Sequence, residues 1–259
     1  MESLTSVNKS RIQQAFQKAL NSYDEHALIQ QKMNIKLMMH LQDYLPNGSL
    51  DSVLELGCGS GMLSSLLQKQ ISANYWLFND LCDVRSILAE KLIQPFDFYC
   101  GDAEKFPFQR RFDLIASASA VQWFHHPDNF ISHCKTGLKP NGLLAIASFG
   151  EDNLKEIRQM TNVGLSYPNL SQWKNWLVND FELLWHDDVN VILDFDTPLD
   201  VLKHLKYTGV TATNQKNWTR KNLNKFIDDY LQAFRLPSGK VRLTYHPLFF
   251  IARYSGAGN

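Results

Sequence analysis

Short apolar runs alternate with amphipathic stretches along most of this chain. Residues 8–45 carry apolar side chains at helical spacing (Ile12, Phe16, Ala19 and Leu20, then Ile35, Met38 and Leu41), which predicts helix up to the break at Pro46-Asn47-Gly48. From Val53 the period changes. Runs at 53–56, 75–80, 96–102, 112–119 and 142–149 read as strands, and 60–70, 83–93 and 127–137 between them as helices. This strand–helix alternation, repeating about every 25 residues, predicts a parallel sheet covered on both faces. After Phe149 the rhythm is different. Helical stretches at 151–163, 171–178, 198–207 and 219–234 surround two strand pieces, FELLWHDD and VNVILDF, and the chain closes on the apolar run VRLTYHPLFFIARY. No stretch rich in Pro, Gly or Ser marks a second domain. One domain over 1–259 is expected, with a core at 50–150, lid or substrate elements at 1–45 and 151–238, and a last strand at 240–254.

Composition narrows the class. A 44% hydrophobic chain of 259 residues is long enough to bury a substantial core and is not a disordered one. No apolar run approaches the roughly 18 residues of a membrane span, and the polar start lacks the apolar stretch of a signal peptide, so the cytoplasm is the expected location. Four scattered cysteines (58, 82, 100 and 134) form no CxxC or Cys/His cluster, so neither a disulfide framework nor a metal site is expected. The net charge of zero argues against a nucleic-acid partner, but it conceals a gradient. Residues 151–199 carry a net −6 and residues 200–259 a net +7. The basic tail offers a face to an acidic partner.

The strongest chemical signal is Val53-Leu54-Glu55-Leu56-Gly57-Cys58-Gly59-Ser60-Gly61. A buried strand ends in an acid, then Gly57, Gly59 and Gly61 alternate with single residues, then a helix begins. Such a turn brings backbone N–H groups and the positive end of a helix against a ligand. The spacing is G-x-G-x-G rather than the G-x-G-x-x-G of dinucleotide sites, and an acid before the turn would repel a pyrophosphate. It suits a cation, and the ammonium and sulfonium of S-adenosylmethionine fit. Asp80 ends the next strand, where a carboxylate can take both ribose hydroxyls. Asp102 ends the third, where it can accept from an adenine amino group. Three acids in register at three strand ends are a specific pattern. Their neighbours Leu81, Ala103 and Ser117 join the cofactor candidates.

These motifs resemble the class I S-adenosylmethionine-dependent methyltransferases, a resemblance that covers residues 50–150. It implies a Rossmann-like α/β fold: a seven-stranded, mostly parallel sheet, helices on both faces, a helical lid and an antiparallel last strand. After the fourth strand stands Ser117-Ala118-Ser119-Ala120-Val121-Gln122-Trp123, not the Asn/Asp-Pro-Pro motif of enzymes that methylate base amino groups. Four flanking stretches occur together in order: AFQKALNSYDEHALIQ (15–30), AVQWF (120–124), LKHLKYTGVTA (202–212) and LTYHPLFFIAR (243–253). Together they are similar to the malonyl-[acyl-carrier protein] O-methyltransferases of biotin synthesis, over about residues 11–253. Asn79 before the acid, and Ala118, depart mildly from that pattern.

The resemblance implies methyl transfer to the free carboxylate of a malonyl thioester on acyl carrier protein. A carboxylate is ionised at neutral pH and needs no general base, so alignment and exclusion of water are the expected means. By the same resemblance Tyr23 and Gln30, two helical turns apart, cap the methionine end, with Tyr23 nearest the methyl group. Candidates for holding substrate are Gln122, Lys203, Lys206, Tyr207, Arg242 and Tyr245. Candidates for docking an acidic carrier protein are Lys216, Arg220, Lys221 and Lys225. No membrane partner is expected, and a monomer is. Two other readings stay open at this point: a methyltransferase for another small acid or quinone precursor, and a non-catalytic cofactor-binding interaction protein.

Overall fold

The computed structural model describes residues 7–209 and 219–256. Its strands are β1 (Leu50–Leu56), β2 (Ala73–Asp80), β3 (Asp97–Cys100), β4 (Phe112–Ala118), β5 (Leu138–Phe149), β6 (Phe181–Asp188), β7 (Val191–Phe195), β8 (Val241–Tyr245) and β9 (Pro247–Tyr254). The α-helices are α1 (Lys9–His26), α2 (Leu28–Leu41), α3 (Met62–Gln70), α4 (Arg85–Lys91), α5 (Pro127–Cys134), α6 (Lys155–Thr161), α7 (Leu170–Leu177), α8 (Pro198–Tyr207) and α9 (Arg220–Phe234). Seven strands pair in the order β3-β2-β1-β4-β5-β9-β6. The first five in that order are parallel, and β9 is antiparallel to both its neighbours. This is the Rossmann-like methyltransferase sheet that the resemblance implied.

Each central strand feeds two cores. Val53, Leu114, Phe249 and Ile251 join α2, α3 and α9 residues on one face, while Leu54, Ile115, Leu248 and Phe250 join α5 and α7 on the other. That two-sided burial is why the strands read as unbroken apolar runs. On the second face Trp173 of α7 stacks on Phe250, ring centroids 5.0 Å apart. So α7, within the stretch expected to supply lid elements, covers the sheet on the face opposite α2, α3 and α9.

Two boundaries differ from expectation. The N-terminal helical stretch is two helices, parted at the fully buried Ala27, whose backbone leaves the helical region. The run at 240–254 is also two strands. Pro247 has no N–H to donate, and His246 turns aside: its backbone N–H donates to Asn153 Oδ1 (3.2 Å) and its ring Nε2 meets Asp188 Oδ1 (2.5 Å). β8 then pairs with β7 in a separate two-stranded sheet, and β9 enters the main one. No helix among the described residues is long and apolar enough to cross a membrane.

Candidate functional site

The pocket lies at the C-terminal ends of β1, β2, β3 and β4, beneath α1. The strand pattern dictates this place, because successive parallel strands all present their loops at one edge. Its floor is the turn between β1 and α3, where Gly57, Gly59 and Gly61 have φ of +73°, +56° and +81°. The turn is tied to β2: the N–H groups of Gly57 and Cys58 both donate to Asn79 O at 2.9 Å. Asp80 completes the attachment. One carboxylate oxygen accepts from Gly59 N–H (2.9 Å) and the other from Cys82 N–H (2.8 Å). The buried Asn79 amide donates to Tyr99 O and Gly101 O, both at 2.9 Å, and so holds the loop that carries Asp102. The polar residue at 79 thus fastens three strand ends together.

Burial dominates the electrostatics. It raises the carboxyl of Asp80 above its ordinary range, against the lowering effect of the N–H groups bound to it. Glu55, 1% exposed, is pushed up to about 8 by burial, although Ser64 Oγ donates to it at 2.6 Å. Between the ordinary glutamate pKa of about 4.3 and pH 8 the folded protein therefore keeps a proton that the unfolded chain has lost, and stability falls as pH rises through that window. Glu55→Gln is expected to gain on the wild type across pH 5–8, by up to about 1.4 kcal/mol per pH unit. Urea midpoints of the ligand-free proteins would show it; parallel pH profiles would mean Glu55 is ionised throughout.

α1 lies across the pocket, fastened along its length. Lys9 Nζ pairs with Asp102 (2.5 Å) and Glu104 (2.6 Å). Gln13 Nε2 donates to Leu81 O (2.8 Å), and Asp24 accepts from Ser60 Oγ (2.5 Å) and pairs with Lys91. Burial alone would raise Glu104. Lys9 and the N–H groups of His125 and His126 outweigh it and bring Glu104 down to about 2. Among the described residues only four outside glycine have positive φ, and the two that are not Asn, Ser119 and Leu154, both line the pocket. Such backbone costs of order 1–3 kcal/mol and persists where packing enforces it.

The pocket gathers many of the residues singled out from the sequence. Tyr23, Gln30, Glu55, Gly57, Gly59, Asp80, Leu81, Asp102, Ala103, Gln122 and Tyr245 all line it. Tyr23 and Gln30 reach it from two helices, not from one face of a continuous helix. Others lie elsewhere. Ser117 is fully buried and its Oγ donates to Leu56 O (2.8 Å), so it faces the neighbouring strand; Ala118, Ser119 and Ala120 line the pocket instead. Gly61 caps α3 and packs on Leu88. Arg242 pairs with the buried Glu156 (3.4 Å). Lys203 pairs with Asp200 on the exposed side of α8, Lys206 is exposed, and Tyr207 stacks on His26. None of these four lines the pocket. Arg220, Lys221 and Lys225 are exposed on α9, and Lys225 pairs with Asp229 (2.7 Å). Lys216 lies outside the described residues.

Sequence reasoning missed Lys9, Gln13, Asn34, Asn153, Tyr167 and Thr208, all of which line the pocket. The acceptor set suits a ligand rich in hydroxyl and N–H donors. The acids Glu55, Asp80 and Asp102 stand around the glycine turn, and on lining residues two buried acceptors, Asn34 Oδ1 and Gln122 Oε1, have no partner. Gln122 is held in that orientation because its Nε2 donates to Ser119 O (2.6 Å). Among the described residues no group of His, Cys, Asp or Glu is arranged for a metal ion.

The chain is similar to known proteins in sequence and in fold. Residues 54–146 match the family model described as a methyltransferase domain. A Haemophilus influenzae protein named malonyl-[acyl-carrier protein] O-methyltransferase is 82% identical over the whole of both chains. Relatives of the same name from Porphyromonas gingivalis (39% identical, 96% of this chain and 98% of that one) and Acinetobacter baylyi (38%, 95% and 97%) extend the likeness. Among solved structures, YcgJ of Bacillus subtilis aligns with TM-score 0.63 at 14% identity, covering 85% of this chain and 98% of that one. The N-methyltransferase NodS of Bradyrhizobium japonicum, in complex with S-adenosyl-L-homocysteine, aligns with TM-score 0.57 at 12% identity, over 95% and 100%. These two share the fold.

Proposed function

The chain belongs to the malonyl-[acyl-carrier protein] O-methyltransferase family, and from that premise we propose that its pocket esterifies the free carboxylate of a malonyl thioester carried on acyl carrier protein, with S-adenosylmethionine as methyl donor. The 82% identity over the full length of both chains carries this reading. When bound, S-adenosylmethionine supplies a methyl group already activated on a sulfonium.

The chain's own residues then have three tasks. Gly57 and Gly59 let the backbone come close to the cofactor, Asp80 takes the ribose hydroxyls, and Asp102 with Ala103 receives the adenine. Glu55, Gln30 and Gln122 serve the methionine end. Tyr23, half-buried and packed edge-on against Phe16 (5.3 Å), stands where cofactor and acceptor meet. α1 excludes water, which matters because a hydrated carboxylate is a poor nucleophile. No residue need act as a base, since the acceptor is ionised at neutral pH.

The test is a methyl-transfer assay with labelled S-adenosylmethionine on malonyl-acyl carrier protein, malonyl-coenzyme A and free malonate at equal concentration. Base-labile label strongest on the carrier protein is the expected result. Cofactor binding with no label on any of the three would discard the malonyl substrate.

The carrier protein is acidic, and α9 offers Arg220 and Lys221 on its exposed first turn with Lys225 one turn on. Reversing all three charges is expected to raise KM for the carrier-bound substrate roughly tenfold and to flatten its salt dependence, with kcat little changed. An unchanged KM would clear α9 of docking.

A further inference from the structure

The pocket has two chemically different ends. The acids stand at the glycine turn. At the other end stand Tyr167, from the segment after α6, Tyr245, from the end of β8, and Thr208 after α8. Both tyrosines are nearly buried, at 9% and 1% exposure. Tyr245 packs against Phe149 at the end of β5 (ring centroids 6.0 Å), two strands across the sheet from β1, whereas the acids stand at the ends of β1 and β2 and after β3.

The far end holds hydroxyls and no cation among the described residues. Lys9 is the basic residue lining the pocket, and it is committed to Asp102 and Glu104. Arg158 stands behind the Tyr167 ring, its guanidinium carbon 5.6 Å from the ring centroid, and does not line the pocket.

The two hydroxyls are held in place. Asn153 accepts the His246 N–H on its Oδ1 (3.2 Å), which leaves its amide NH2 for the Tyr167 oxygen beside it. Tyr167 then has its own proton to donate. His204 Nε2 lies 2.8 Å from the Tyr245 oxygen, and burial lowers that imidazole to about 4, so it is neutral at pH 7; as the Nε2–H tautomer it donates to the Tyr245 oxygen and leaves the phenol proton for a ligand.

We infer that the Tyr167 and Tyr245 hydroxyls grip the malonyl carboxylate, and that a neutral grip is used because the reaction destroys charge. This deepens the malonyl reading and rests on it. Methyl transfer forms a C–O bond and breaks a C–S bond, and a carboxylate and a sulfonium become a neutral ester and a neutral thioether. Negative charge on the carboxylate is therefore already reduced at the transition state. A Lys or Arg at this buried end of the pocket would bind the reactant more tightly than the transition state and slow transfer. A phenol donor orients the same carboxylate and loses less as the charge fades.

The experiment uses Tyr167→Phe, Tyr245→Phe and the double variant of the full chain, saturated with S-adenosylhomocysteine. Calorimetry would compare binding of malonyl-carrier protein with that of acetyl-carrier protein, which lacks the carboxylate. Each Phe is expected to weaken malonyl binding by about tenfold, as for loss of one hydrogen bond to a charged group, and to leave acetyl and S-adenosylhomocysteine binding unchanged. The unchanged ligands report that the fold is intact. Malonyl affinity kept within twofold in the double variant would overturn the assignment, as would equal losses for acetyl and malonyl carriers. A wild type with no preference for malonyl over acetyl would overturn the malonyl reading itself.

Discussion

Asp80→Ala is expected to weaken S-adenosylmethionine binding by on the order of 100-fold or more, in the range for losing charge-assisted hydrogen bonds. Two losses combine. The Gly59 and Cys82 N–H groups lose their acceptor, so the glycine turn and the start of the following loop lose their common anchor. The ribose loses the carboxylate proposed to receive it. Asp80→Asn separates the two: an amide has one oxygen, so its NH2 must face one of the two N–H donors, and the turn is held on one side only. Affinity for Asn is expected between wild type and Ala. Calorimetric Kd values for the three proteins would decide, with thermal melting to confirm that each is folded. An Ala variant within twofold of wild type would show that Asp80 neither receives the ribose nor organises the turn.

The parts of this site that were legible in the sequence are those fixed by position on a strand. Asp80 is the last residue of β2, Glu55 is one residue short of the end of β1 and Asp102 is two past the end of β3, and parallel strands buried on both faces read as apolar runs whose ends are easily found. The glycines were legible for a similar reason, although Gly61 turned out to pack on Leu88 rather than line the pocket. What escaped came from partners distant in sequence. Arg242 is a plausible carboxylate ligand until Glu156, 0% exposed, is seen beside it. Lys9 reads as a solvated start of a helix, yet it closes on two acids more than ninety residues away. Tyr167 and Asn153 stand outside the helices and strands, where no periodicity predicts which way a side chain faces. Ser117 sat at the right strand end, but the alternation of faces gave its hydroxyl to Leu56 O. The break at His246 needed Asn153 and Asp188 to be visible.

Gly57→Ala is expected to abolish measurable cofactor binding and to destabilise the fold by several kcal/mol, more than the same change at Gly59 or Gly61. All three glycines have positive φ, where a Cβ costs about 1–2 kcal/mol. Space separates them. A Cβ at Gly59 would come to 3.2 Å from the tip of the Phe16 ring, and one at Gly61 to 2.7 Å from Leu88 Cδ2, both on side chains that can turn away. A Cβ at Gly57 would collide with the Cβ of Ala120, which is fixed to the backbone and has no rotamer to adopt. The strand end or the segment from Ser119 must then move, and both line the pocket. The clash can be isolated by a second change. Gly57→Ala with Ala120→Gly removes the obstructing methyl but keeps the unfavourable φ. The double variant is therefore expected to regain part of the lost stability, with a favourable coupling between the sites in a double-mutant cycle of urea midpoints. Additive effects would mean that backbone conformation alone, and not the close approach of these two segments, requires glycine at 57.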